Sequence, residues 1–476
     1  MERNMRLKRG RAWPASMALG FFLMIPFPLW AEEVTVGDLK KALEEKDQQI
    51  QALMERVERL EQQNGARQEP AVVPAVSVLA AAQAPAAQPP PKEETLADRL
   101  KKLEETFEKT PVFQFLKEIQ LTGYVTTTYN YNFSGATEAG TPADRRNDYR
   151  YFDSEAKQFT LNMAELQLVK PSTEESRFGF GLTFNVGSDA RKIHAAGLGA
   201  DNPLEFTTQA FDLRQAYVTY KIPIGKGLDF KGGKFDTLIG LEVVPAPANV
   251  NISRSLLFSW SPPFTHVGFL LSYPLLDWAT ATMGVVNGWD VADDNNKAKS
   301  FMGQVSLVPL KNLTLILNGI GGPEQGSFGV PPSNSNYRWL GDFVLIYTPI
   351  EKLTLYLSGD LGAEDDALGP GVDAEWWGIE GIVAYQLTDS LSVAVRGEFF
   401  RDDDGVKAFT DFVGGVAFAQ DLWEITGTIK YKFTDHFYTR LEYRHDQSNV
   451  RSFRGTGALD GGKTQDTIAV EAAYIF

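Results

Sequence analysis

The sequence predicts an all-β transmembrane barrel of about 16 antiparallel strands, preceded by a periplasmic α-helical coiled coil. Three observations support this prediction. The chain ends on an alternating strand with two aromatic residues, tight turns alternate with long polar loops over its C-terminal part, and a heptad repeat lies near the N-terminus.

The last ten residues of the chain form the clearest strand. Successive side chains of a strand point to opposite faces, and here one face is entirely apolar: Ile468, Val470, Ala472, Tyr474 and Phe476. The last strand of a transmembrane barrel faces lipid and carries aromatic residues at the membrane interface. This strand resembles the last strand of Gram-negative outer-membrane β-barrel proteins, and the resemblance implies that Tyr474 and Phe476 form the C-terminal assembly signal. An ordinary terminal strand of a soluble sheet is the alternative.

Residues 1–31 have the organisation of a secretory signal peptide. Basic residues precede a short apolar stretch at 17–30, and Ala31 precedes the expected cleavage site. An N-terminal membrane anchor is the alternative, but the stretch is short for a span of about 20 residues and contains Pro26 and Pro28. We expect the mature chain in the outer membrane of a Gram-negative bacterium, with an N-terminal stalk in the periplasm.

Residues 32–64 keep a heptad repeat with mostly apolar a and d positions, which predicts a coiled coil. Its core consists of Val36, Leu39, Leu43, Ile50, Leu53, Val57 and Leu60. An amphipathic helix packed on a globular surface is the alternative. Because nothing adjacent in the sequence offers such a surface, we expect homo-oligomers that form through the coiled coil.

Two segments connect the coiled coil to the barrel. Residues 65–92 are rich in Ala and Pro and predict an extended linker. Residues 93–110 predict a short helix, which Pro111 ends. The barrel itself is expected over residues 111–476.

Strand-like runs of about ten residues recur through this barrel segment, as tilted membrane strands require. Short turn clusters and long polar loops separate them alternately. Counting the strands gives about 16, an even number that leaves both ends of the barrel on the periplasmic side. If residues 409–419 form a strand pair instead of part of a loop, the count becomes about 18.

Charged residues alternate with apolar residues along several of the last strands. Since a charge facing lipid at mid-depth costs about 2–4 kcal/mol, the charged rows must face an aqueous lumen. The pore-lining candidates on these strands are Arg396, Glu398, Glu424, Lys430, Lys432, Arg440, Glu442 and Arg444. A large soluble sandwich is the alternative, but it does not explain the signal peptide, the turn spacing and the aromatic terminus together.

The long segment 236–263 combines small and apolar residues with Asn251, Ser253, Arg254 and Ser255. We expect this loop to fold into the lumen and narrow it. Arg254 would then face an acidic wall and be a further pore-lining residue. A surface loop packed over the rim is the alternative.

Composition argues against several other classes of protein. A net charge of −15 without a basic stripe argues against nucleic-acid binding, and the lack of cysteine excludes disulfides and thiol chemistry. The four histidines do not fall in a Ser-His-Asp or zinc-binding spacing. We therefore expect no enzyme activity, no metal site and no cofactor. The acidic clusters at 293–294, 364–366 and 402–404 are solvated loop tips, cation-attracting groups or divalent bridges to lipopolysaccharide.

A series of short motifs resembles the family called putative β-barrel porin 2, over roughly residues 118–476. The motifs are GKF at 233–235, GLE at 240–242, Asn251, SRS at 253–255, Pro263, HVG at 266–268, NGWD at 287–290, RGEFFRD at 396–402 and RLEYRHD at 440–446. The resemblance implies an outer-membrane channel fold. We also expect contact with outer-membrane lipid, with lipopolysaccharide and with the β-barrel assembly machinery. The number of subunits that the coiled coil joins stays open, and a trimer would match the habit of general porins.

The expected function is a porin whose water-filled channel passes small hydrophilic solutes or ions by passive diffusion. The alternative is an outer-membrane anchor whose coiled coil tethers the membrane to the cell wall through peptidoglycan. A third reading, a barrel hydrolase, would use His266 or His445. The sign of charge selectivity stays open, because the acidic balance favours cations whereas Arg254 and the strand arginines favour anions.

Overall fold

The structure is a computed structural model that describes residues 101–102, 110, 115–133, 146–197, 210–324, 333–408, 419–453 and 462–476. All of these belong to the second of two compact units, Glu94–Phe476. The predicted signal peptide, coiled coil and linker lie outside the described residues. Of the predicted short helix, only residues 101, 102 and 110 are described.

Sixteen antiparallel strands of the described chain close into one barrel, as the sequence predicted. The strands are β1 (Gln120–Asn132), β2 (Gln158–Lys170), β3 (Phe178–Val186), β4 (Phe211–Ile222), β5 (Leu228–Asp236), β6 (Thr265–Leu276), β7 (Ala279–Val286), β8 (Ser300–Leu310), β9 (Leu313–Pro323), β10 (Tyr337–Ile350), β11 (Leu353–Glu364), β12 (Ala374–Gln386), β13 (Leu391–Asp402), β14 (Gln420–Lys432), β15 (Phe437–Ser448) and β16 (Thr464–Ile475). Each strand pairs with its neighbours in sequence, and β13 pairs directly with β14, so the ring closes without a further strand pair.

The first and last strands close the barrel. Val125 on β1 lies opposite Tyr474 on β16, and the pairing continues for nine residue pairs. Beyond the strand, Gly123 and Phe476 exchange two backbone hydrogen bonds of 3.0 Å. Closure pairs every backbone edge, which a sheet inside lipid requires because no water is present there to bond a free edge.

The two faces of each strand differ in chemistry. On β13, Val395 is 52% exposed whereas the neighbouring Arg396 is fully buried. The exposed face faces lipid, and the buried face points into the barrel. The same alternation of buried and exposed residues continues along β14, β15 and β16.

Three periplasmic turns are tighter than the sequence indicated. Strands β6, β8 and β10 continue through Pro274, Pro309 and Pro349, which the sequence analysis placed in turns. Each pairing shifts register close to its proline. Proline cannot donate to the ladder, so it is tolerated at such irregular strand ends and not in a regular ladder.

The longest described connection, residues 237–264 between β5 and β6, folds into the barrel; we call it the inward loop. It carries a short helix, α1 (Leu256–Trp260), whose Ser255 side chain accepts a hydrogen bond from Phe258 N. This is the usual arrangement of an N-cap. Among the residues that the structure describes, two 3-10 helices lie outside the strands, at Ala190–Lys192 and Ala246–Ala248. No described helix has the length and apolar character needed to cross a membrane.

Apolar side chains fill part of the barrel interior. The larger cluster joins Tyr149, Trp289 and Val406 from the connections to Trp376 and Phe400 on the wall. A second cluster packs the inward loop against the wall and the connection after β1. Its members are Tyr124, Phe152, Met163, Ala190, Ile193, Val244, Phe258 and Phe264. Where these two clusters lie, much of the lumen is therefore filled by side chains.

Candidate functional site

The inward loop crosses the lumen and binds the wall on the far side through two glutamates. Glu442 on β15 accepts hydrogen bonds from Ile252 N at 2.6 Å and from Ser253 N at 2.8 Å. Glu398 on β13 accepts hydrogen bonds from the first two amides of α1, at 2.5 and 3.0 Å. Carboxylate bonds to amides are charge-assisted and strong in a dry interior, so these contacts fix the position of the loop.

Arg440 on β15 holds the carbonyl groups of the same loop. Its guanidinium donates to Asn249 O and Asn251 O, both at 2.7 Å, and to Ala246 O at 3.2 Å. The other edge pairs with Glu471 on β16 at 2.7 Å. The wall thus satisfies both the donors and the acceptors of the loop backbone, which burial would otherwise leave unpaired.

Arg396 on β13 connects three elements. It pairs with Glu242 of the inward loop at 2.7 Å and with Glu424 on β14 at 2.8 Å. It also donates to Ser253 O at 2.8 Å. A buried ion of this kind is tolerated only where other groups satisfy its hydrogen bonds and charge.

Carboxylates on neighbouring strands lie side by side beneath this loop. Glu380, Glu398, Glu424 and Asp446 are direct cross-strand neighbours from β12 to β15. Like charges placed opposite one another destabilise a sheet. Arg396 and Arg444 offset this repulsion: Arg444 lies 2.7 Å from Asp446 and 3.6 Å from both Glu398 and Glu424.

Arg254 makes a different set of contacts from the one that we expected. Its guanidinium donates to three carbonyls of the inward loop itself, those of Val243, Ile252 and Val244, at 2.9–3.0 Å. It also lies over the ring of Phe152, 5.3 Å from the ring centroid. Arg254 therefore holds the shape of the loop through its carbonyls, and these contacts are not with a carboxylate of the wall as we had expected.

The other predicted pore-lining residues lie on the inner face of β13, β14 and β15, but most are covered by the loop. The buried ones are Arg396, Glu398, Glu424, Arg440, Glu442 and Arg444. Lys430 is partly exposed and lies 4.0 Å from the ring centroid of Tyr438. Lys432 is exposed and pairs with Asp435 in the following turn at 3.1 Å. Their contribution to the conducting path stays a prediction.

Sequence reasoning missed an acidic wall on β10, β11 and β12. Asp342 and Asp360 are direct cross-strand partners, and Ser358 lies opposite Glu380. A small pocket beside the inward loop is lined by Ser358, Asp360 and Glu380 together with Leu257. Each of the three carboxylates has an oxygen without a hydrogen-bond partner, and none takes part in an ion pair of the described residues. The sequence did contain a signal for this wall, because Asp342, Asp360 and Glu380 are acidic residues within largely apolar strands.

Two histidines considered for catalysis serve other contacts. His266 is fully buried, and its ring nitrogens contact Gly288 O at 2.8 Å and Thr237 Oγ1 at 3.1 Å. His445 contacts Asp466 at 2.8 Å and lies beside Trp423 on the outer face of the barrel. Over the described ranges, no group of three or more acidic or histidine side chains is arranged to hold a metal ion.

Comparisons with known proteins agree with a porin barrel. The family described as "Putative beta-barrel porin-2, OmpL-like" matches residues 118–476. The anion-selective porin from Comamonas acidovorans is similar in structure, with a TM-score of 0.51 and 12% sequence identity over 75% of this chain and 99% of that one. The outer membrane channel DcaP of Acinetobacter baumannii gives a TM-score of 0.49 at 12% identity, over 75% and 97% of the two chains. A search of curated proteins found no match.

The family match begins just before β1 and runs to the last residue, so it includes every strand of the closed barrel. The fold is shared with the Comamonas porin. The charged inner face and the lipid-facing outer face are those of a transmembrane barrel. The chain therefore belongs to the β-barrel porin-2 family and is a Gram-negative outer-membrane porin, a channel for passive diffusion.

Proposed function

We propose that this porin passes small hydrophilic solutes and ions without a catalytic step, and that it prefers cations. The single observation that carries the cation preference is the acidic wall of β10–β12, whose carboxylates have no ion-pair partner among the described residues. Rings of acidic side chains favour cations in channels.

The strand arginines do not offset this preference. Both sets of charges are buried, with Arg396, Arg440 and Arg444 at most 1% exposed and Asp342, Asp360 and Glu380 2–6% exposed, so the two sets differ in their partners and not in their burial. The guanidinium groups of the arginines already bind carboxylates of the wall and carbonyls of the inward loop. An anion in transit would have to displace these buried contacts, so the arginines offer it little attraction.

The inward loop supports a narrow channel. The loop contacts β13 and β15 and also packs against β1 and β2, whereas its residues Val243 and Ala248 are exposed. The free path therefore runs past a face made of small and apolar residues. A narrow path limits the size of the solute. Its small and apolar lining binds a polar solute weakly, as passive diffusion requires.

The test is single-channel recording of the refolded, full-length protein in a planar bilayer under a KCl gradient. We expect steady conductance steps and a reversal potential of the sign that marks K⁺ preference. Replacing Asp342 with Asn and Glu380 with Gln should move the reversal potential towards anions. Glu375→Gln is the matched control, because Glu375 lies on the exposed face of the same strand.

Two results would contradict the proposal. A reversal potential that marks Cl⁻ preference would remove the cation preference. Folded protein that gives no conductance steps would mean that the packed lumen is closed. This result would favour the alternative function, an outer-membrane anchor that tethers the membrane to the cell wall.

A further inference from the structure

Two tryptophans form an aromatic corner at the extracellular end of the lumen. Trp376 lies on the inner face of β12, and Trp289 lies in the connection after β7. Their rings meet edge to face, with centroids 6.4 Å apart and planes at 86°. Trp376 Nε1 donates to Ser261 Oγ at 3.1 Å, and Gly362 leaves the space that its indole occupies. Both indoles are thus buried and held in place.

A lysine from a third segment occupies this corner. The ammonium of Lys407 lies 4.3 Å from the ring centroid of Trp376 and 4.9 Å from that of Trp289. Cations within about 6 Å of an indole centroid are attracted by the negative face of the ring. The geometry is therefore that of a cation bound between two aromatic rings.

Acidic groups surround the same corner. Glu364, Asp402 and Asp290 all attract the Lys407 ammonium electrostatically, while Arg338 repels it. Arg338 is itself held by Glu364 in two contacts of 2.7 Å. Negative charge exceeds positive charge around the ammonium, and this excess offsets part of the cost of burying a cation there.

The turn that presents Lys407 is fixed independently of its side chain. The carboxylate of Asp402 accepts hydrogen bonds from the amides of Gly405, Val406, Lys407 and Ala408, at 2.8–3.0 Å. These bonds involve only the backbone of the turn. Shortening the Lys407 side chain should therefore remove its ammonium from the corner without releasing the turn, while the guanidinium of Arg338 stays 5.2 Å from the ring centroid of Trp289.

We propose that Trp289, Trp376 and the surrounding carboxylates form a binding site for small solutes that carry an ammonium group. In the unliganded protein, the ammonium of Lys407 occupies the place of the solute's ammonium group. Indole faces with nearby negative charge are the arrangement that recognises primary and quaternary ammonium groups. The site lies at the extracellular end of the lumen, on the side from which a solute enters. Its role in transport rests on the proposed channel function, whereas binding itself does not.

Lys407 is suited to exchange with such a solute. Burial, together with the charge of Arg338, lowers the pKa of Lys407 to about 7. The residue as a whole is partly exposed, although its ammonium is buried. It is also tethered, and a tethered group competes with a free one at a high effective concentration. Removal of the ammonium should therefore reveal the affinity of the site for a free ligand.

The test is a choline titration of the refolded full-length barrel in detergent, followed by tryptophan fluorescence and calorimetry. We expect Lys407→Ala to bind choline about tenfold more tightly than the wild type. Lys407→Arg and the exposed Lys297→Met control should behave like the wild type. Adding Trp289→Leu to Lys407→Ala should abolish the gain. If Lys407→Ala folds poorly, Lys407→Gln gives the same test.

Uncharged dimethylbutanol, the carbon isostere of choline, separates cation recognition from plain apolar binding. We expect it to bind weakly to every variant. Equal choline affinity of Lys407→Ala and the wild type, or equal affinity for choline and dimethylbutanol, would overturn the proposal. Because the titration needs no conductance, a silent channel would contradict the proposed function and leave this result unaffected.

Discussion

Arg396 on β13 and Glu242 in the inward loop form a buried ion pair of 2.7 Å, although they lie 154 positions apart in the chain. Glu424 and Ser253 complete the surroundings of the same guanidinium. One side chain therefore joins the loop to the wall on the far side of the barrel, and several consequences of this arrangement can be measured.

Replacing Arg396 with Met should destabilise the folded barrel by about 3–5 kcal/mol, because it leaves buried carboxylates without their partner. Urea unfolding of the refolded protein in lipid measures this change. The control is Arg401→Met, because Arg401 is 39% exposed in its side chain and pairs with Asp421 at the rim. Such an exposed pair contributes about 0–1 kcal/mol. Equal losses for the two variants would contradict the assigned role of Arg396.

Replacing Gly362 with Ala should disturb the aromatic corner, because a Cβ atom at this position would overlap the indole of Trp376. Overpacking of this kind costs about 1–3 kcal/mol. Gly427→Ala is a matched control, since a Cβ at Gly427 on β14 meets nothing within 4 Å. Urea unfolding and tryptophan fluorescence should change for the first variant and not for the second. A neutral Gly362→Ala would show that Trp376 is not held where the structure places it.

Choline binding to the wild type should tighten as the pH rises through about 7, the pKa to which burial lowers Lys407. Below that pH the lysine is charged and competes for the site, and above it the neutral amine no longer does. Arg338, Glu364, Asp290 and Asp402 face the same ammonium and set its environment. Titrations between about pH 6 and pH 8 measure the effect. Lys407→Ala should show no such rise, and a parallel rise in both proteins would assign it to another group.

The exposed aromatic residues at the end of the chain should determine how efficiently the barrel assembles. Phe476 is 46% exposed, and its backbone pairs with Gly123 at the closure of the barrel. Phe476→Ala keeps those backbone bonds but removes the ring, so it should reduce the amount of heat-modifiable barrel in outer membranes. Phe433 is 57% exposed beside another periplasmic turn and serves as the control. Equal yields of Phe476→Ala and Phe433→Ala would argue against a specific assembly signal.

The predicted coiled coil should set the oligomeric state. Replacing Leu43 and Leu53 with Asn places polar groups in its core, so we expect smaller complexes in cross-linking and size-exclusion experiments while the barrel stays folded. Unchanged complexes would mean that the barrels associate through their walls. A pulldown of fragment 32–110 with purified peptidoglycan tests the anchoring alternative separately.

Strand positions and strand count could be predicted because they depend on local pattern. Alternation of Val395, Arg396 and Gly397 identifies a strand with one charged face, and no distant residue is needed to see it. The lengths of the periplasmic turns were predicted less accurately. Pro274 and Pro349 signal turns locally, yet pairing with the neighbouring strand extends β6 and β10 through them.

The partners of the charged residues could not be predicted. The charged faces indicated a lumen, but they did not indicate that a loop would cover Arg440 and Glu442. The aromatic corner is a clearer case, because Trp289, Trp376 and Lys407 come from three separate segments. No spacing in the sequence relates them.

The sequence by itself determined a membrane barrel with an alternating wall, an even number of strands and an aromatic last strand, because each is encoded by neighbours at short range. Only the tertiary structure decided which charges are free to act on a solute. Closure of the barrel brings β13–β15 opposite the inward loop, and burial then forces their charged groups to find partners there. Among the described residues, this pairing leaves Asp342, Asp360 and Glu380 of β10–β12 without an ion-pair partner, each with one oxygen that has no hydrogen-bond partner.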